Sequence, residues 1–252
     1  VDTQVAFCAL DDLDLVLPLL QKARRFSGDS VTAFELICRR GVEYAARHIE
    51  GVSDPLSVEY PWYALIEFST TSPVIPLRQV FEGFLEDAFE AGVIADAVIA
   101  ESGEQANMLW RLREEMPHAQ KPEGASIKHD VSVPIRQIPD FIRKATAAVE
   151  AFVPDCRPVP FGHVGDGNIH FNISRPLAMT DADFLELWQD MNRIVHDIVH
   201  GVGGSFSAEH GVGRLKVGEL IRYRSAEELA LHKHIKDTLD PHNIMNPGVL
   251  FD

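Results

Sequence analysis

The segment Phe161-Gly162-His163-Val164-Gly165-Asp166-Gly167-Asn168-Ile169-His170-Phe171-Asn172 sets two imidazoles on either side of a turn. Asp166-Gly167 is a preferred centre for a two-residue type I′ hairpin, in which both central residues take positive φ. That register places Gly165 opposite Asn168, Val164 opposite Ile169 and His163 opposite His170. Directly opposed residues on antiparallel strands have Cβ atoms about 4.5–5.5 Å apart on one face, so both rings can converge on a single metal ion. Asn172, two residues beyond His170, shares the face. Two neutral imidazoles suit zinc, iron or manganese, and a third ligand, ideally a carboxylate, would leave a position open for substrate. Taken alone, histidines at this spacing are more often the polar cap of a sheet face.

The best source of that carboxylate is Gly203-Gly204-Ser205-Phe206-Ser207-Ala208-Glu209-His210-Gly211-Val212-Gly213. Glycines permit close backbone approach to a ligand. Glu209 and His210 leave the chain in different directions, so one can meet a metal while the other faces a reacting atom. The plainer alternative is a turn with a solvated Glu-His pair. Neither phosphate-loop pattern, GxxxxGK[ST] or GxGxxG, is matched in this stretch, and HExxH occurs nowhere, which argues against a zincin-type protease. Upstream, Arg113 closes a helical pattern and Lys128 lies in a strand-like run. Arginine grips a carboxylate with two parallel hydrogen bonds and lysine acts as a point charge; taken alone, each is more often an ordinary surface cation.

The elements that must position these residues follow from periodicity. Strands are expected at Gln4 to Ala9, Ala33 to Cys38, Ala64 to Ser69, Asp96 to Ala100, Ile127 to Val133, Val159 to Val164 and Ile169 to Ile173. Helical stripes run through Leu77, Val80, Phe81, Phe84, Leu85 and Phe89, and through Phe184, Leu187, Trp188, Met191, Ile194, Val195 and Ile198; both read as core. Polar residues at alternate strand positions favour an α+β, ferredoxin-like antiparallel sheet with helices packed on one face. After His200 come the glycine-rich stretch and two helical segments, the second opened by a Ser225-x-x-Glu228 capping box. Asp240 to Gly248 is turn chemistry. No internal repeat stands out. The expected division is 1–199 and a C-terminal helical segment, 200–252.

With 252 residues, 46% hydrophobic and 24% charged, the chain can bury a proper core and is neither disordered nor fibrous. Its formal charge of -15 opposes nucleic acid and anionic membrane surfaces as partners. Cys8, Cys38 and Cys156 are widely spaced and odd in number, which suits a reducing, cytoplasmic setting better than a disulfide framework or a cysteine zinc site. No apolar run approaches a membrane span. The chain starts Val1-Asp2-Thr3-Gln4, without methionine or signal core, as expected of processing or of a piece cut from a longer chain.

Three motifs in order, Gly162 to His170, Ser207-Ala208-Glu209-His210-Gly211, and Asp240-Pro241 through Asn246-Pro247-Gly248, resemble the C-terminal half of FAD-linked D-2-hydroxyacid dehydrogenases. That group holds D-lactate, glycolate and D-2-hydroxyglutarate dehydrogenases. The resemblance spans essentially the whole chain. It implies that His163, His170 and Glu209 bind a divalent metal, commonly zinc; that Arg113, Lys128 and Asn172 hold a small 2-hydroxy acid; that His210 is the general base; and that Asn246 meets the flavin. A family member specific for D-2-hydroxyglutarate carries threonine four residues after the arginine, where this chain has Pro117, which offers no hydroxyl. A glycine-rich flavin diphosphate-binding half is missing here. The resemblance therefore implies a substrate-binding cap plus a C-terminal segment that would pack on a flavin domain, on a longer chain or a partner subunit, and it leaves room for a homodimer. Two other readings use the same residues: a zinc hydrolase with metal-bound water as nucleophile, and a binding module without catalysis.

Overall fold

The computed structural model describes residues 1–28 and 30–251. Among them, seven strands pair into one antiparallel sheet: β1 (Asp2–Leu10), β2 (Val31–Cys38), β3 (Trp62–Thr70), β4 (Asp96–Ile99), β5 (Ser126–Ser132), β6 (Arg157–His163) and β7 (Asn168–Ser174). All seven lie where alternation and β-branched content place them, within about two residues at each end. The helices are α1 (Val16–Ser27), α2 (Arg39–His48), α3 (Leu77–Glu90), α4 (Gly103–Glu114), α5 (Met116–Ala119), α6 (Ile138–Phe152), α7 (Asp181–Glu186), α8 (Trp188–Gly201), α9 (Val217–Tyr223) and α10 (Ala226–Leu239).

The strand order β4-β1-β3-β2-β6-β7-β5 consists of two ferredoxin-like halves side by side. β1-α1-β2-β3-α3-β4 is a complete βαββαβ unit, with α2 inserted. β5-α6-β6-β7-α8 repeats the scheme and lacks the final strand, which would pair beside β5. A single antiparallel bridge, Ser132 to Ser205, stands there instead. This structural repeat leaves no trace in sequence, because packing repeats while residues do not.

One face of the sheet carries α1, α3, α6 and α8 over a core that includes Phe68, Phe81, Phe84, Phe141, Phe171 and Phe184. Phe68 stacks on Phe84 at 5.3 Å and meets Phe81 edge-on at 4.8 Å. The expected packing on one face holds for these long helices. Over the first half, however, α2, α4 and α5 cover the opposite face around Phe7, Val42, Tyr63, Leu65 and Leu112. Here β1 and β3 are apolar on both faces, so a second layer is needed to bury them. Two core assignments also differ. Phe89, at the last turn of α3, is 60% exposed. The stripe from Phe184 to Ile198 is broken at Leu187 into α7 and α8, although Phe184, Met191 and Val195 are buried as expected.

Ser225 caps α10, its Oγ accepting from Glu228 N at 3.1 Å. No residue of α10 is buried. Leu215, Leu239 and Ile244 are 82%, 71% and 78% exposed, so this C-terminal region carries apolar side chains that the chain does not cover. All three cysteines are buried and unpaired. Among the described residues, no helix is long and apolar enough to cross a membrane.

Candidate functional site

The site grows from the hairpin, whose register differs from the expected one. His163 pairs with Asn168, Gly162 with Ile169 and Phe161 with His170, two residues out of the type I′ alignment. Asp166 does not take positive φ, and Gly167 does, at +81°. The result is a four-residue loop, Val164 to Gly167, closed by Gly167 N donating to Val164 O at 3.3 Å and by Asn168 N donating to Asp166 Oδ1 at 3.0 Å. Gly167 also lies against β5: a Cβ there would stand 2.1 Å from Val133 O. Because the shift is two residues, His163 and His170 still share a face, but on the diagonal, with ring centroids 6.2 Å apart.

Strand pairing extends that face. Asp130 lies opposite His170, Lys128 opposite Asn172, and Glu35 of β2 opposite His163. The alternate residues Ile127, Val131, Ile169, Phe171 and Ile173 turn into the α6/α8 core. From above, α4 brings Arg113, whose Nε donates to Glu35 Oε2 at 2.8 Å while Cζ sits 4.7 Å from the centre of the Phe161 ring.

The glycine-rich segment arrives where the second half lacks its last strand. Ser205 N and Ser132 O bond at 2.8 Å and Ser132 N and Ser205 O at 3.0 Å; Ala208 N then donates to Asp130 O at 3.1 Å. Asp130 Oδ2 accepts from the backbone N–H groups of both Glu209 and His210, at 3.0 and 2.8 Å. Asp130 is thus the residue that presents this pair to the sheet.

Four side chains, Asp130, His170, Glu209 and His210, offer ligand atoms that all lie within 4.8 Å of one another. His170 Nε2 is 3.4 Å and His210 Nε2 3.7 Å from Glu209 Oε1, and the two rings stack at 5.8 Å. Asp130 Oδ1 is buried without a hydrogen-bond partner. A nitrogen and carboxylate donor set with one orphaned buried oxygen fits a divalent cation.

A cavity of about 590 Å³ opens over this cluster, lined by Arg113, Lys128, Asn172, Glu209, His210 and Lys216 among others. Of the residues singled out in the sequence, Arg113, Lys128, Asn172, His170, Glu209 and His210 meet there. His163 stands beside the cavity, its Nδ1 hydrogen-bonded to Glu35 Oε1. Asn246 is exposed, at φ +49°, and is not among the residues lining the cavity, although its neighbour Pro247 accepts a hydrogen bond from the lining residue Arg214 at 2.8 Å.

Electrostatics follow burial and charge. Burial would raise the Glu35 carboxyl, but the His163 ring and Arg113 hold it below its ordinary value. The Glu35 hydrogen bond in turn raises His163. His170 is lowered by burial and by Arg113, which favours the neutral imidazole that binds metal. Burial and then Lys121 lower Lys128.

Two site residues escaped the sequence reading. Asp130 had a signal, since it sits two positions from Lys128 in a predicted strand and must share its face. Glu35 had a fainter one, a lone acid inside the apolar run Ala33-Phe34-Glu35-Leu36-Ile37.

Comparison with known proteins bears on this geometry. The chain is 35% identical over 250 residues to a D-2-hydroxyglutarate dehydrogenase of Xanthomonas citri pv. viticola, covering 99% of this chain and 52% of that protein. It is 35% identical over 246 residues to a probable mitochondrial D-2-hydroxyglutarate dehydrogenase of Oryza sativa subsp. indica, covering 97% of this chain and 42% of that one. The chain therefore spans about half the length of the curated relatives it matches. Among solved structures, p-cresol methylhydroxylase with substrate bound superposes with a TM-score of 0.70 at 14% identity, over 100% of this chain and 53% of that one. Alkyldihydroxyacetonephosphate synthase gives 0.59 at 12% identity, over 98% and 45%. At such identities these two likenesses speak for the fold alone. Residues 2–250 match the family described as FAD linked oxidases, C-terminal domain, and the chain belongs to that family.

Proposed function

We propose that this chain is the substrate- and metal-binding part of a flavin-dependent dehydrogenase that oxidises a D-2-hydroxy acid to the 2-oxo acid. The observation that carries the reading is the meeting of the Asp130, His170, Glu209 and His210 cluster with Arg113, Lys128 and Asn172 in one cavity. Metal donors and carboxylate-binding groups in one cavity suit a substrate bearing both a hydroxyl and a carboxylate.

His170 and Glu209 of that cluster, joined by His163 from beside the cavity, would hold the metal, zinc being the foremost candidate, with Asp130 next to them. A divalent ion supplies a lowered pKa for a hydroxyl bound to it, and a flavin supplies the hydride acceptor. The remaining work falls to side chains of this chain. Arg113 grips the carboxylate, its plane backed by Phe161, and Lys128 adds a second positive charge. Asn172, buried beside Lys128, orients the substrate by hydrogen bonds. His210 takes the hydroxyl proton as general base; it follows Glu209 on a loop pinned by Asp130 and lines the same cavity as Arg113, Lys128 and Asn172.

The flavin would be held mainly by a domain outside this chain, with Asn246 contributing. The exposed Leu215, Leu239 and Ile244 support a docking role for residues 200–252, and residues 1–199 would form the cap. The test uses the complete flavin-bearing polypeptide with D-2-hydroxyglutarate and D-lactate, with and without chelator. One of them should reduce the flavin only when metal is present, and Arg113→Ala should raise KM about tenfold or more at similar kcat. A metal-replete flavoprotein that no 2-hydroxy acid reduces would overturn the proposal.

A further inference from the structure

Glu35 is 2% exposed, lies between apolar neighbours on β2, and takes no part in the steps above. Both of its oxygens are nevertheless committed to functional side chains, Oε2 to Arg113 Nε and Oε1 to His163 Nδ1. An ionised carboxylate can only accept hydrogen bonds. Nδ1 of His163 must therefore carry the proton, which leaves the Nε2 lone pair for a metal. On the other side, Glu35 engages Arg113 through Nε alone, with Cζ 4.7 Å from the centre of the Phe161 ring, so the two terminal nitrogens take no part in that bond.

We propose that Glu35 is a positioning residue that couples the two halves of the site, setting the tautomer of His163 with one oxygen and the plane of the Arg113 guanidinium with the other. The inference rests on the reading of His163 as a metal ligand and Arg113 as the carboxylate grip. Its physical basis is burial: a carboxylate removed from water and shared by two partners holds each of them through the other, because neither can leave without stranding a buried charge. Carboxylate-backed histidines of this kind set ligand orientation and basicity at metal sites generally.

Glu35→Gln tests this, because the carboxamide keeps the shape but offers one acceptor and one donor. The charge-assisted bond to Arg113 claims the oxygen, so the amide NH2 faces His163 Nδ1, which must then accept. The proton moves to Nε2 and the ligating lone pair is lost. Two readouts follow. Long-range 1H–15N spectra of metal-free protein, recorded above the imidazole titration range, should show His163 protonated at Nδ1 in the wild type and at Nε2 in Glu35→Gln. Calorimetric titration with Zn2+ should show affinity about 10–100-fold weaker in the variant. Wild-type His163 protonated at Nε2, or an unchanged tautomer in a folded Glu35→Gln, would overturn the proposal. A wild type that takes up no Zn2+ would instead defeat the metal reading, while the metal-free spectra still decide the role of Glu35.

Discussion

Asp130 offers a graded perturbation of the site. Its Oδ2 accepts from two consecutive backbone N–H groups, those of Glu209 and His210, and its own carbonyl accepts from Ala208. Asp130→Ala removes both side-chain bonds. Hydrogen bonds to a charged group contribute about 1.5–3 kcal/mol each, so the loop loses about 3–6 kcal/mol of ordering. A tenfold change in affinity corresponds to about 1.4 kcal/mol, so Zn2+ binding should weaken by about 10²–10⁴-fold. Asp130→Asn keeps one oxygen that can still receive both N–H groups, and loses only the charge assistance, about 1–2 kcal/mol in all, or about tenfold. Calorimetric Zn2+ titration of the two variants, with circular dichroism to confirm the sheet, measures the series. The anchoring argument predicts Ala well below Asn, with Asn close to wild type. If both variants lose affinity equally, Asp130 acts as a ligand through its orphaned Oδ1 and not as an anchor; if neither does, the loop is held by other means.

Further expectations concern the scaffold. Gly167→Ala forces a residue with a side chain to φ +81° and brings Cβ to 2.1 Å from Val133 O, so it should destabilise the protein by at least about 2 kcal/mol, readable as a lower denaturant midpoint. Gly165→Ala, where a Cβ meets nothing within 4 Å, should change stability little and serves as the control. On the acid side, Glu123 offers a test. Burial would raise its carboxyl, but the His48 ring and Arg157, with Arg47, hold it down at about 2. Its folded value lies below the ordinary glutamate value of about 4.3. Glu123 therefore adds stability above that value, and the contribution is lost as pH falls through the window down to about 2. Glu123→Gln should lower the melting temperature at neutral pH and flatten its decline across that window; a decline as steep as the wild type's would show that other groups set the acid limit.

Strand positions were legible because β-branched and aromatic runs with period two mark the sheet, and helix starts such as Ser225 carry their own capping chemistry. What escaped depends on partners distant in the chain. The hairpin register turned on Asp166, whose φ is set by the four-residue loop and by the approach of Val133 to Gly167, neither of which a dipeptide preference encodes. Phe89 fits the helical stripe yet lies in the last turn of α3, beyond the sheet that would cover it. Face membership survived the register error, because a slip of two residues preserves side-chain direction. For that reason His163, His170 and Asn172 lie on one face as expected, while Lys128, Asp130 and Glu35 needed the pairing of β5 with β7 and of β2 with β6 to join them.

The incomplete second half of the sheet explains how so acidic a chain can carry a cavity lined by cationic side chains. A full βαββαβ unit would place a strand beside β5, and its continuous pairing would leave little room for a loop to turn inward. The single Ser132–Ser205 bridge gives the chain one point of attachment, after which residues 206–216 fold over the polar face. That loop contributes Glu209, His210, Arg214 and Lys216 to the cavity, beside Arg113, Lys128 and Asp130. Four cationic side chains therefore face two carboxylates before any metal is counted, in a chain whose formal charge is -15. Fields in a low-dielectric cleft are set by the nearest charges, since those beyond a Debye length of about 8 Å are largely screened. The acidic exterior and the cationic cavity are thus compatible, and raising ionic strength should weaken binding of a carboxylate substrate less than it would for a site on the open surface.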